Sequence, residues 1–406
     1  MSASDRRADL PMRILLLHNY YRSATPGGED LVFEQERSLL SAAGHQVASY
    51  TRSNDEMSEI SPIDIVRVIS GMHRSRRTER ELSDIIERFQ PEVAHVHNTF
   101  PLISSSAHEI CRAKGIPVVQ TVHNYRLTCV AATHFRDGRV CESCSPMNVV
   151  SAITHRCYRG SALGSLAVAS MVRHQWRSGV WTHCVDRFIA LTQFTAKRLV
   201  DLGIPADRIT VKPNFVQTPA SGTVKKSDYV VFVGRVSEEK GIHTLLKTWR
   251  NTDLPLLRII GDGPLRPLVE SQVRDLDLNV RVEGARPRSE VSEIVAGALA
   301  QIVPSQWFEG MPMVILEAWA LGTPVIATRI GSLEEMLDSD RFGLSIRAGD
   351  SEDLLEKVKA LATSPGLQTK LANAGRDRVR SEFSPESTLK SLESIYGGLV
   401  KNRVTA

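Results

Sequence analysis

The chain has 406 residues, 42% hydrophobic and 24% charged, which supplies apolar material for two separately cored domains and excludes a largely disordered polypeptide. Fifty basic against 46 acidic side chains leave a formal net charge of +4, far from the basic excess of a nucleic-acid binder, so anionic small molecules are the expected partners and nucleic acid is not. The opening MSASDRRADLP is polar, Ile14 to Leu17 is too short for a signal segment, and Ser161 to Val172 falls short of the roughly 18 apolar residues that span a bilayer. The expectation is therefore a cytoplasmic protein with reduced thiols.

From Met12 onward short apolar runs alternate with longer amphipathic ones, the pattern of strands and helices in a parallel sheet. Strands are predicted at Arg13 to His18, Gln46 to Thr51, Val93 to Asn98, Val118 to His123, Arg187 to Thr192 and Ile209 to Lys212, with helices such as Glu29 to Ala43 and Glu79 to Phe89 between them. At Gln217 to Ser227 the periodicity stops in a Pro, Gly, Ser and Lys mixture of linker composition. A second series follows, with strands at Tyr229 to Gly234, Leu256 to Ile260, Val280 to Glu283, Ala300 to Val303, Pro324 to Thr328 and Gly343 to Ile346. The expected organisation is an N-terminal α/β domain over 12–217, a C-terminal one over 228–383, and a last helix over 384–406 that caps the second domain or crosses back to the first. Two doubly wound halves would face each other across a cleft lined by the loops at the strands' carboxyl ends.

The chemistry-bearing motifs lie in the loops of the second half. In GRVSEEKG, Arg235 ends a strand and Lys240 falls in the expected first turn of the next helix; two cations and a helix start suit a diphosphate. GDGP carries Gly261 and Gly263, whose missing side chains permit close approach to the backbone. In EGMPMVILE, Glu309 and Glu317 stand eight residues apart, a spacing that places both on one helical face, with Pro312 at the first helical position. Two such carboxylates can accept from a sugar diol and a ribose diol, while the amides of Gly310, Met311 and Met313 remain for phosphate oxygens. The competing reading makes Glu309 a capping acid and Glu317 a solvated residue, but the apolar neighbours of Glu317 predict a buried acid that needs a partner.

In this order and spacing GRVSEEKG, GDGP and EGMPMVILE resemble the donor half of the family 4 retaining glycosyltransferases, which have the GT-B fold of two Rossmann-like domains facing a cleft. In the first half, HNYYRSATPGGED with Gly27 and Gly28 is similar to the family's glycine loop, and HVHNTF (His95 to Phe100) and TVHNYR (Thr121 to Arg126) resemble family segments. PNF at Pro213 to Phe215 departs from the family's PNG-type turn at its third position. The resemblance covers about Met12 to Glu382 and implies a nucleotide diphosphate sugar donor with no metal cofactor for catalysis. Arg235 and Lys240 would neutralise the diphosphate, Glu309 would hold donor-sugar hydroxyls, Glu317 the ribose, and His123 would contact the donor sugar near the reacting centre. For His123 the alternative is a hydrogen-bonded histidine at a strand end.

Between Tyr125 and Gly160 the alternation breaks around Cys129, Cys141, Cys144 and Cys157, the middle two forming a C-x-x-C knuckle. Four thiolates could close a tetrahedral structural zinc site in this insertion (125–160); the competing reading is free thiols in a loop. Arg67, Arg74, Arg76, Arg77 and Arg80 form one basic run and Arg156, Arg159, Arg173 and Arg177 another. Both would suit a phosphorylated or lipid-linked saccharide acceptor and peripheral contact with an anionic membrane, against the plainer reading of solvated faces. The leading expectation is a hexosyltransferase of polysaccharide biosynthesis. Its rivals are a GT-B sugar-nucleotide epimerase and a non-catalytic nucleotide-sugar-binding scaffold; a dinucleotide dehydrogenase is a weaker rival still, because no G-x-G-x-x-G follows the first strand.

Overall fold

A computed structural model describes residues 11–23, 27–57, 71–217, 226–250 and 253–404. Most of the expected linker and Arg67 lie outside the described residues. By its contacts the chain divides into two units, Met1–Ala132 with Glu142–Pro213 and Glu386–Ala406, and Thr133–Cys141 with Asn214–Pro385.

In chain order the first strands are β1 (Arg13–Tyr20), β2 (Gln46–Ser53), β3 (Val93–Asn98) and β4 (Val118–Val122), then the short hairpin β5 (Phe135–Arg136) and β6 (Arg139–Val140), then β7 (Arg187–Ala190) and β8 (Ile209–Val211). All but the hairpin form a parallel sheet in the order β2-β1-β3-β4-β7-β8. Successive residues of β1 enter different cores: Leu15 and Leu17 join Val96 and Phe188 on one face, Ile14 and Leu16 join Val119 and Ile189 on the other. Both faces are covered, which is why Ile14 to Leu17 of β1 read as a continuous apolar run. The first face is packed by Leu82 and Ile86 of the helix Arg76–Phe89, whose start is capped by Ser75 accepting from the Thr78 amide. The second is packed by Phe33 and Leu40 of the helix Gly28–Ala42 and by Leu392, Ile395 and Tyr396 of the last helix, Pro385–Val404.

The second unit holds β9 (Tyr229–Val233), β10 (Leu256–Ile260), β11 (Val280–Gly284), β12 (Ala300–Val303), β13 (Val325–Thr328) and β14 (Leu344–Ile346) in the parallel order β11-β10-β9-β12-β13-β14. Val230, Phe232, Leu257, Ile259 and Ile302 carry the core that the helices close. Each strand expected from the sequence is present, with ends shifted by at most two residues. No described helix is long and apolar enough to cross a membrane.

Candidate active site

Because β9 is hydrogen-bonded between β10 and β12 and all three are parallel, the loops Gly234–Gly241, Gly261–Pro264 and Pro304–Pro312 leave one edge of one sheet. The strand order reverses between β9 and β12, the switch point at which open α/β sheets take ligands. The loops are stitched to one another: the Gly234 amide donates to the Ile260 carbonyl (3.0 Å) and the Val236 amide to Asp262 (2.9 Å). A Cβ on Gly261, where φ is +133°, would lie 1.9 Å from the Gly234 oxygen, and one on Gly263 2.4 Å from the Val236 oxygen. The GDGP glycines thus admit the neighbouring loop of their own chain. Gly241, with φ +76°, does the same against the Pro304 oxygen.

Lys240 closes a single 3₁₀ turn, Glu238–Lys240, and Gly241 separates it from the helix Ile242–Thr248, so it is not in that helix's first turn as expected. Its Nζ donates to Glu309 Oε1 (2.6 Å), which also accepts from Ser305 Oγ (2.7 Å) and Trp307 Nε1 (2.9 Å). The ammonium sits 5.0 Å from the centre of the Trp307 ring. At 5% exposure Glu309 is a buried acid, and these donors are what permit it. Arg235, on the same loop as Lys240, is exposed, and among the described residues no ion pair holds its guanidinium.

The second glutamate stands elsewhere. The helix is Met313–Ala320, with Pro312 as its cap rather than its first residue, so Glu309 lies in the loop four residues before it and shares no helical face with Glu317. The cause is local: a residue preceding proline is held away from the helical region, so Met311 cannot extend the helix backward. Glu317 is also not buried; its side chain is 27% exposed and its carboxylate pairs at 2.5 Å with Arg288, the first residue of the helix Arg288–Gly297. Among the described residues the amides of Gly310, Met311 and Met313 have no protein acceptor, as expected of a helix approach. Asn214 pins this turn, its backbone amide against Met311 Sδ (3.3 Å) and its Nδ2 on the Met311 carbonyl (3.2 Å). The neighbouring Phe215 fills core volume at 1% exposure, which accounts for an aromatic residue where a glycine was expected.

In the first unit, His123 follows β4 and its Nε2 lies 3.0 Å from Nδ1 of His97 on the adjacent β3, the two rings stacked 5.2 Å apart. His123 lines a cavity of about 40 Å³ with Asn98, Phe100, Asn124 and Arg126. Burial holds both His97 and His123 well below the usual histidine range, so both are neutral at pH 7. Gly27 caps the helix Gly28–Ala42; its amide donates to Asp30 Oδ2 (2.9 Å), and Asp30 Oδ1 takes His18 Nε2 (2.8 Å). A Cβ on Gly27 would meet the Tyr21 ring at 2.7 Å, while Gly28 is exposed. Ala24 to Pro26 of the glycine loop lie outside the described residues.

Cys129, Cys141, Cys144 and Cys157 are partly buried. Cys144 and Cys157 border the same apolar cluster, around Val149, Ala152 and Val168, and Cys141 follows the hairpin β5–β6. Arg156, Arg159, Arg173 and Arg177 are exposed.

Sequence reasoning missed Ser305, Trp307 and Arg288, which hold the two glutamates, and missed Glu36 and Lys212 beneath His97. Glu36 had a readable signal: with Val32, Phe33 and Leu40 it sits on the buried stripe of its helix.

Residues 27–219 match the family described as Glycosyltransferase Family 4 and residues 216–378 that described as Glycosyl transferases group 1. The lipopolysaccharide core biosynthesis glycosyltransferase LpsE of Rhizobium meliloti is 30% identical over 215 residues, half of this chain and 61% of that protein; the chain thus spans less than two thirds of that relative's length. Among solved structures, sucrose-phosphate synthase of Thermosynechococcus elongatus superposes with a TM-score of 0.71 at 18% identity, covering 97% of this chain and all of that one. HepE of Anabaena, solved with UDP-glucose, gives 0.64 at 16% identity over 95% of this chain and 99% of its own. Two adjoining matches that together span residues 27–378, on two parallel α/β units, establish that the chain belongs to the family 4-like glycosyltransferases of GT-B fold.

Proposed function

We propose that the protein is a retaining, metal-independent glycosyltransferase that moves a sugar from a nucleotide diphosphate sugar to a saccharide acceptor, lipid-linked or part of a cell-surface polysaccharide. One observation carries the reading: at the switch point of the second sheet the Lys240–Glu309 pair, Arg235 without an ion pair and the amides of Gly310, Met311 and Met313 without an acceptor, among the described residues, occupy loops of one edge. Cations and backbone amides there stabilise the negative charge that grows on a departing pyrophosphate. A divalent metal serves the same purpose in other transferases; here two side-chain cations take that part. In the reaction the anomeric C–O bond to the β-phosphate breaks and its electron pair leaves with the phosphate oxygen. The acceptor hydroxyl attacks on the same face, and its proton passes to that oxygen, giving the glycoside and a nucleoside diphosphate. Glu309 accepts donor-sugar hydroxyls, Glu317 the ribose hydroxyls, and His123 meets the donor sugar. Gly27 and Gly28, with Gly261 and Gly263, keep backbone close to the donor phosphates.

Two further elements belong to the proposal. No acidic residue occurs from Ser143 to Val185, a segment whose exposed Arg156, Arg159, Arg173 and Arg177 accompany exposed Leu163 and Leu166, which suits an acceptor at an anionic membrane. Cys129, Cys141, Cys144 and Cys157 are, by residue type and by the C-x-x-C spacing of the middle two, a donor set for a structural zinc ion. The functional test is a thermal-shift panel of nucleotide sugars in EDTA, followed by NMR of the anomeric product. A bound nucleotide sugar stabilises by about 2.7 kcal/mol at 100 times its Kd. Stabilisation without metal and an anomer matching that of the donor are expected; a metal requirement or an inverted anomer overturns the corresponding part, and no response to any nucleotide sugar overturns the whole.

A further inference from the structure

Beneath His123 lies a buried set of polar groups that the proposed chemistry does not use. Lys212, 1% exposed, donates through Nζ to Glu36 Oε1 (2.7 Å) and to the Pro213 carbonyl (3.2 Å); Glu36 is fully buried. The two form a buried ion pair. The second oxygen, Glu36 Oε2, has no hydrogen-bond partner among the described residues, and neither does His97 Nε2, which faces it at 3.5 Å. His95 Nδ1 is 3.8 Å from the same oxygen, but both His95 nitrogens already meet hydroxyls, Nδ1 that of Tyr396 and Nε2 that of Thr121, each at 2.7 Å.

The proton positions follow in sequence. A carboxylate oxygen can only accept, so a bare lone pair on His97 Nε2 would face like charge, and the ring is favoured with its hydrogen on Nε2. A neutral imidazole carries one hydrogen, so His97 Nδ1 is then the acceptor of the 3.0 Å contact with His123 Nε2. His123 must supply that hydrogen, which leaves its own Nδ1 bare, and among the described residues Nδ1 has no protein partner. We propose that His97 is a positioning residue that, directed by the Glu36–Lys212 pair, fixes the tautomer of His123 so that Nδ1 acts as a hydrogen-bond acceptor for a substrate hydroxyl. The inference rests on the assignment of His123 to the donor sugar, and it goes beyond that assignment by saying which atom acts and in which direction the hydrogen bond runs.

The test is ¹⁵N NMR of the full chain labelled at histidine, with the His123 signals assigned through His123→Gln. At neutral pH the wild type should show hydrogen on Nε2 of His123 and a bare Nδ1. His97→Leu removes the acceptor and should release His123 into a mixture of tautomers. The double variant Glu36→Gln/Lys212→Met leaves no lone buried charge, and because its amide can both donate and accept it should relax the same preference with His97 in place. In both variants kcat should fall about tenfold to a hundredfold with KM for the donor little changed, the scale on which partners that orient a functional group act. Wild-type His123 protonated on Nδ1 overturns the proposal, even where no variant folds. A normal kcat in variants whose tautomer has relaxed also overturns it. Unaltered turnover in His123→Ala instead defeats the assignment of His123 to the donor sugar, a separate result, since the tautomer is read from the spectrum alone.

Discussion

Replacing Lys240 by Met and Glu309 by Gln, singly and together, separates two roles that the structure superimposes. Lys240 Nζ rests on Glu309 Oε1 at 2.6 Å, so the carboxylate can act by aiming the ammonium at a pyrophosphate, by gripping the sugar, or by both. Gln is the right probe because Glu309→Ala would also strand Ser305 Oγ and Trp307 Nε1, each at a cost of about 1–3 kcal/mol unrelated to catalysis. A hydrogen bond to a charged group is worth about 1.5–3 kcal/mol, so Lys240→Met should lower kcat/KM by about 10- to 150-fold. If Glu309 works only through Lys240, adding Glu309→Gln to that variant changes nothing further. If it also binds hydroxyls, the double variant falls by at least another factor of about ten. The second outcome is expected, measured as initial rates of nucleoside diphosphate release with urea midpoints as the control for folding. A Lys240→Met enzyme within about threefold of wild type would refute the assignment of this lysine to the leaving group.

Four further outcomes follow from the geometry. Gly261→Ala should destabilise the second unit by more than about 3 kcal/mol, because the new Cβ would stand 1.9 Å from a backbone oxygen at a φ that L-residues avoid; chemical denaturation measures it. Burial, opposed by Glu36 and aided by Lys212, takes His95 down to about 4, so the unfolded chain takes up its proton first as pH falls. Stability should therefore be fully present above about pH 6.5 and decline towards pH 4 by about 3 kcal/mol, a slope that His95→Gln flattens in denaturation midpoints across pH. Metal analysis of purified protein should find about one zinc per chain, reduced in Cys141→Ser, and EDTA treatment that leaves the initial transfer rate unchanged would keep zinc out of the chemistry. Vesicles with anionic lipid should sediment the protein more than neutral ones, and Leu163→Ser/Leu166→Ser should weaken the effect; equal sedimentation removes the membrane from the proposal.

What the sequence made legible is what a parallel sheet imposes locally. Ile14 to Leu17 of the first strand and Tyr229–Val233 read as near-continuous apolar runs because both faces of each sheet are covered, and Gly234 ends the second of them. The three loops of the second unit could be placed on one edge before any coordinates, since each follows a parallel strand. Spacing failed where it presumed a helix that had not yet begun: Glu309 and Glu317 are eight residues apart, but Pro312 restrains Met311 and delays the helix to Met313, so the periodicity rule has no purchase on Glu309. The expectation for Lys240 failed for a related reason, the left-handed Gly241 having ended the turn before the helix started.

The charged network under His123 shows a different limit. Glu36 and Lys212 are 176 residues apart; the helical stripe marks Glu36 as buried, but nothing in either stretch of sequence names the other as its partner. Their burial is a property of the pair, since either one without the other would leave an uncompensated charge in the core at about 3–5 kcal/mol. That dependence is itself measurable. Lys212→Met alone should destabilise the first unit by about 3–5 kcal/mol, whereas Glu36→Gln/Lys212→Met should recover most of the loss, since apolar or neutral groups of similar shape replace a buried ion pair at little cost. Additive losses in the double variant, read from urea midpoints, would show that the two groups are not coupled and would detach Glu36 from any influence on the histidines above it.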